Sequence, residues 1–118
     1  MVYKYSIEKL SYINFVKACK KIANEIKKYN ITSIFGIPRG GLVPAVYLSH
    51  LTGLPLVKIA DKRSLIVDDI ADSGCTLLGY QMQGYKIATI YYCKHSLVIP
   101  NIWIYEKKAD WIRFPWEV

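Results

Sequence analysis

Arginine is scarce in this chain. Arg39, Arg63 and Arg113 are the only three among 16 basic residues. Surfaces that read nucleic acid favour the forked guanidinium over the point charge of lysine. Nucleic acid is therefore not the expected partner, even though the formal net charge is +7. Cysteine is sparse too: Cys19, Cys75 and Cys93 are scattered, odd in number and without metal-ligand spacing. That argues against a disulfide framework and for free thiols in a reducing cytoplasm. No apolar run approaches the roughly 20 residues of a membrane span, and Met1-Val2-Tyr3-Lys4-Tyr5 does not read as a secretory leader. No Gly-x-x-x-x-Gly-Lys-Ser/Thr, Gly-x-Gly-x-x-Gly or Gly-x-Ser-x-Gly pattern occurs, so P-loop, dinucleotide and nucleophile-elbow chemistry have no support.

The 118 residues suffice for one domain, spanning 1–118, with one real core. Val2 to Ile7 alternates loosely, as a short edge strand would. Ser11 suits an N-cap, and Ile13, Val16, Cys19, Ile22, Ala23 and Ile26 recur at spacings of three and four, which predicts an amphipathic helix over 11–29. Its other face is rich in lysine. Strands are expected at 31–37, 56–59, 65–68, 86–92 and 102–105, and helices at 42–51 and 75–83. Gly53 and Gly84 mark helix ends. This alternation predicts an α/β fold with a mostly parallel sheet flanked by helices. The aromatic tail from Ala109 to Glu117 reads as irregular.

The most informative stretch is Ser64 to Leu77. Leu65-Ile66-Val67 is an unbroken apolar run, as in a strand covered on both faces. Asp68 and Asp69 fall where that strand is expected to end. Ala71-Asp72-Ser73-Gly74-Cys75-Thr76 then supplies small residues, hydroxyls and a glycine before a helix. Free backbone N–H groups at a helix start, with the positive end of its dipole, suit a phosphate. Two carboxylates beside it can hold hydroxyls of a sugar or, directly or through water, Mg²⁺. Phosphate and diol together describe a ribose phosphate. At the end of another strand, Pro38-Arg39-Gly40-Gly41 offers a forked cation and close backbone approach, which fits an anion such as pyrophosphate. Ligands of open α/β sheets sit at the carboxyl ends of strands, where both loops are expected.

The 64–77 stretch resembles the phosphoribosyl-diphosphate (PRPP) binding signature of the type I phosphoribosyltransferases. The Arg39-Gly40 loop is similar to the pyrophosphate loop of that family. The resemblance implies that a cis peptide there falls between Pro38 and Arg39. Trp111-Ile112 followed by Phe114-Pro115-Trp116-Glu117, and Ile90 to Lys94, resemble the xanthine-guanine branch of the family. That resemblance implies that Trp111 stacks on a purine, Lys94 donates to its O6 and the Ile112 backbone meets its edge. It also implies ribose 5-phosphate on Asp68, Asp69 and 71–76, pyrophosphate on Arg39 and Gly40, Mg²⁺ on Asp68 and Asp69, Asp72 as general base, and a homodimer or homotetramer. One family feature is missing, a long mobile lid loop before the PRPP-motif strand. Ala60 to Ser64 is too short for a lid. It is also too short for a crossover between adjacent parallel strands. Strand 56–59 is therefore expected either to pair antiparallel or to lie apart from strand 65–68. Lys62 and Arg63 are the basic residues left in that connection to meet pyrophosphate.

Three functions follow as expectations. The first is transfer of ribose 5-phosphate from PRPP to a 6-oxopurine (guanine, xanthine or hypoxanthine), a purine-salvage reaction. The second is a lid-less PRPP or nucleotide sensor with little or no turnover. The third is a nucleic-acid-associated regulator that uses the basic first helix.

Overall fold

The computed structural model describes residues 5–118. Strand β3 (Ser64–Ala71) is central in a four-stranded sheet ordered β2-β3-β4-β5. β2 is Ser33–Gly36, β4 is Lys86–Tyr92 and β5 is Ile102–Glu106. Every strand pairing is parallel. The sheet is covered on both faces because β3 is apolar on both. Leu65 and Val67 pack with helix α1 (Tyr12–Ile26) and helix α2 (Leu42–Thr52), while Ile66 between them packs with Leu77 of helix α3 (Cys75–Met82) and Val98. Among the described residues, no helix is long and apolar enough to cross a membrane.

Helix α1 begins as expected: Ser11 Oγ accepts the Asn14 N–H at 3.1 Å. Its buried stripe is Phe15, Ala18, Cys19, Ile22 and Ile26, with Val16 and Ala23 only partly buried. Ile13, expected on that stripe, is exposed. It lies nine positions from Ile22, which at about 100° per residue is the opposite side. Helix α2 closes at Gly53, where φ is 73°.

Four boundaries differ from expectation. The first strand, β1, is Ile7–Lys9 rather than a segment ending at Ile7, and residues 2–4 lie outside those described. Segment 56–59 is not a strand: Leu56 makes a single parallel bridge to Ile34, at the outer edge of β2. It therefore lies apart from β3, with β2 between them, and residues 53–63 form a short connection with no long loop. β3 runs on through the two aspartates to Ala71, because β4 continues alongside it as far as Tyr92. The tail is not irregular: Trp111–Arg113 forms strand β6, paired with β1 in a separate two-stranded sheet. The tail is held in the core by Phe114 and Trp116, stacked with ring centroids 4.9 Å apart, and by Trp116 against Phe15 at 5.4 Å.

Candidate active site

The carboxyl ends of β2 and β3 open into a cleft of about 720 Å³. Arg39 and Gly40 line one part of it, Asp69 and Asp72 another, and Trp111 and Ile112 a third. Three segments distant in sequence thus converge where the sheet ends.

β2 stops at Gly36 opposite Val67, so the chain turns away there while β3 continues. The turn is fastened by the Gly41 N–H to the Ile37 carbonyl at 2.8 Å and by the Ile37 N–H to the Val67 carbonyl at 2.9 Å. The peptide between Pro38 and Arg39 is cis, at the bond where the resemblance places one. Gly40 packs so closely on Asp69 that any Cβ there would overlap the carboxylate. Only glycine lets this loop reach the acidic pair.

Asp68 and Asp69 each accept one backbone hydrogen bond. Asp68 Oδ1 takes the Asp69 N–H at 2.9 Å, and Asp69 Oδ1 takes the Ile70 N–H at 2.8 Å. Burial, a hydrogen bond shared with Asp69 and the charge of Asp69 push the Asp68 carboxyl up to about 8. Burial raises Asp69 as well. Asp69 lines the cleft and Asp68 does not.

The next turn holds a carboxylate of the opposite character. Asp72 lies 3.4 Å from Lys107 Nζ and 3.2 Å from His95 Nε2. Burial would raise it, but the Lys107 charge and hydrogen bonds with Cys93, Lys107 and His95 hold it below the usual carboxylate range. At Gly74 φ is 81°, and a Cβ would meet Ser96 Oγ and the Leu97 N–H. No side chain caps α3 there, although Ser73 Oγ accepts the Cys75 N–H at 3.3 Å. Ser73, Cys75 and Thr76 are exposed while Ala71 and Gly74 are buried. The turn thus presents the start of α3 and two hydroxyls to solvent. It is tied to the following turn through the Cys93 N–H to the Ala71 carbonyl and the Leu97 N–H to the Ser73 carbonyl, both 2.9 Å.

Three basic residues, Lys62, Arg63 and Lys94, depart from expectation. Arg63 immediately precedes β3, so it sits at the amino end of the strands, away from the cleft. There its guanidinium bonds the Asn30 carbonyl at 3.1 Å and the Asn30 side chain. Lys62 stands beside it in the chain and is not among the cleft residues. Lys94 is also outside the lining: its ammonium is solvent-facing, 3.9 Å from Glu106. Besides Arg39, the cation inside the cleft is Lys107, whose side chain is 12% exposed. Sequence reasoning missed it. Its only signal is its place just after β5, since nothing in the pattern separates it from the exposed lysines.

No family sequence model and no curated relative matches the chain. The solved structures do. A purine phosphoribosyltransferase from Pyrococcus horikoshii Ot3 superposes with TM-score 0.84 at 32% identity, over 95% of this chain and 94% of that one. The chain belongs to the purine phosphoribosyltransferases of the type I family. A Helicobacter pylori xanthine-guanine-hypoxanthine phosphoribosyltransferase shares the fold with TM-score 0.82 at 19% identity, over 96% of this chain and 95% of that one. A Giardia lamblia APRTase, complexed with 9-deazaadenine, does so with TM-score 0.63 at 15% identity, over 80% of each chain. Phosphoribosyltransferases for different purines therefore share this chain's fold.

Proposed function

We propose that the protein transfers the 5-phosphoribosyl group of PRPP to a 6-oxopurine, releasing pyrophosphate. The observation that carries this reading is the meeting, in one cleft, of an acidic strand end, an ionised Asp72 beside Lys107, and the Trp111 face.

The start of α3, with the Ser73 and Thr76 hydroxyls, binds the 5-phosphate through backbone N–H groups of 72–76. Asp69, which lines the cleft, positions the ribose hydroxyls, with Asp68 hydrogen-bonded behind it. The two carboxylates would suit Mg²⁺: they are hard oxygen donors whose proton affinity is raised first of all by burial. When bound, Mg²⁺ supplies charge neutralisation for the departing diphosphate. Arg39 and the Gly40 backbone bind that diphosphate from the other side.

In the transfer, the bond from ribose C1 to the diphosphate oxygen breaks and a bond from C1 to purine N9 forms. The purine loses its N7 proton to Asp72, whose low proton affinity at rest keeps it ionised and ready. N7 and O6 neighbour one another on a single edge of a 6-oxopurine. Asp72 and Lys107, 3.4 Å apart, offer an acceptor and a donor to that edge. Lys107 thus takes the O6 role that the resemblance gives Lys94. An ammonium disfavours the amino group of adenine at that position. Trp111, half exposed on the cleft wall, stacks on the ring.

A nucleotide-sensing role without turnover is the second reading. The short 53–63 connection favours it, since it leaves the cleft without a cover to exclude water. The deciding assay supplies PRPP and Mg²⁺ with guanine, xanthine, hypoxanthine or adenine in turn. The expected product is a nucleoside monophosphate from a 6-oxopurine and none from adenine. Product from adenine alone overturns the base assignment. Nucleotide binding with no product from any base establishes the sensor.

A further inference from the structure

The proposed catalytic carboxylate, Asp72, also belongs to a donor set whose other two members, Cys93 and His95, the transfer reaction does not use. Asp72, Cys93 and His95 each place a ligand atom within 4.8 Å of the others. Asp72 Oδ1 is 3.2 Å from His95 Nε2, and Cys93 Sγ is 3.6 Å from His95 Nδ1. We propose that Asp72, Cys93 and His95 form a binding site for a thiophilic divalent cation of the Zn²⁺ class, and that its occupancy switches transfer off.

The backbone builds the cluster. β3 and β4 are adjacent, Ala71 is registered with Tyr92, and the Cys93 N–H bonds the Ala71 carbonyl. The turns that follow the two strands are therefore held together before any ion arrives. A second bond, from the Leu97 N–H to the Ser73 carbonyl, fixes the far side. Cys93 and His95 lie on one tight turn, closed by the Ser96 N–H on the Cys93 carbonyl at 2.9 Å.

The donor types decide the ion. One thiolate, one imidazole and one carboxylate make a mixed S, N and O set. Zinc takes such sets at about 2.0–2.3 Å per bond, with water in the fourth position, whereas Mg²⁺ wants oxygen alone. Donors at those bond lengths around a tetrahedral ion stand about 3.3–3.8 Å apart, so the three donors, now within 4.8 Å of one another, need to draw in by at most about 1 Å. The imidazole now faces its two neighbours with different nitrogens. Its side chain is 71% exposed, so the ring is free to turn one nitrogen to the ion. Solvent reaches the cluster through Asp72 and His95, while Cys93 closes it from beneath at 6% exposure.

The resting thiol is held protonated: burial, and then the hydrogen bond and charge of Asp72, push Cys93 up. This disfavours a nucleophilic cysteine. Metal binding releases that proton to solvent, so affinity rises with pH. Lys107 opposes the incoming charge from the other Asp72 oxygen, at 3.4 Å. The bound ion cancels the two anionic donors and leaves the Lys107 charge in the neighbourhood, which weakens the binding of any cation.

Inhibition rests on the catalytic role assigned to Asp72, but binding does not. The test therefore reads binding first. The purified protein, stripped by chelator, is titrated with Co²⁺ and then with Zn²⁺ against a chromophoric chelator. The expected result is one ion per chain, a thiolate-to-cobalt charge-transfer band, and affinity at least about tenfold weaker in His95→Gln and Cys93→Ala. His95→Gln alters only an exposed side chain, so it decides the matter should Cys93→Ala fail to fold. Absence of the band, or equal affinity in wild type and His95→Gln, overturns the site. Zinc binding that leaves transfer untouched overturns the switch alone.

Discussion

Asp68–Asp69 and Asp72 are carboxylates of one short stretch, yet they hold protons in opposite ways. The pair lies within β3, against backbone N–H groups, the Gly40 loop, each other and the charge of Glu117, with no cation beside it among the described residues, and burial raises both. Asp72 lies just past the strand end, half exposed and beside Lys107 and His95, and it is lowered. Environment, not residue type, thus divides the labour: a pair short of counter-charge awaits cationic or hydroxylic ligands, and a lone carboxylate stays ionised to take a proton.

Removing the Asp72 charge tests one half of that contrast. Asp72→Asn is expected to lower kcat for transfer by about 10²–10⁴. Its melting temperature should fall only modestly, since the side chain is 51% exposed although it pairs with Lys107. Steady-state kinetics beside a thermal melt checks both. Next in size is the partner of Asp72. Lys107→Met should cost about 10–100-fold in kcat/KM for the purine, as loss of a charge-assisted hydrogen bond does. Lys94→Met should stay near wild type, and the reverse ranking would return O6 recognition to Lys94.

Crowding the other half should have a smaller effect. Gly40→Ala drives a methyl into Asp69 and should destabilise the fold by about 1–3 kcal/mol in urea titration. It should also weaken product inhibition by pyrophosphate. The same pair also sets a pH effect. The Asp68 pKa is raised from 3.8 to about 8 on folding, so the folded state binds the extra proton. Stability from this group is present at low pH and is lost as pH rises between about 4 and 8. Asp68→Asn should remove that slope and raise the melting temperature at pH 8 relative to wild type. Asp72, being lowered, contributes in the opposite sense, and its share is lost as pH falls below 3.8.

What could be read from sequence is what is local. The 64–77 stretch carries its strand, its acids and its helix start in contiguous residues, and the Ser11 cap and Gly53 stop are equally local. Pairing partners are not local. β6 exists because Trp111 meets Ile7 across nearly the whole chain, and 56–59 fails as a strand because its only partner is Ile34. Lys107 and Arg63 show the same limit for charges. Which lysine is drawn into the cleft, and which arginine is left at the wrong end of a strand, depends on where the sheet begins and ends.

The central claim is that the turn opening α3 grips the sugar's terminal phosphate. Backbone amide NMR of the ¹⁵N-labelled protein titrated with GMP tests it most directly. The account predicts saturable shifts of the Ser73, Gly74, Cys75 and Thr76 amides, with Trp111 responding to the base. Binding that moves other amides while those four stay fixed would contradict it.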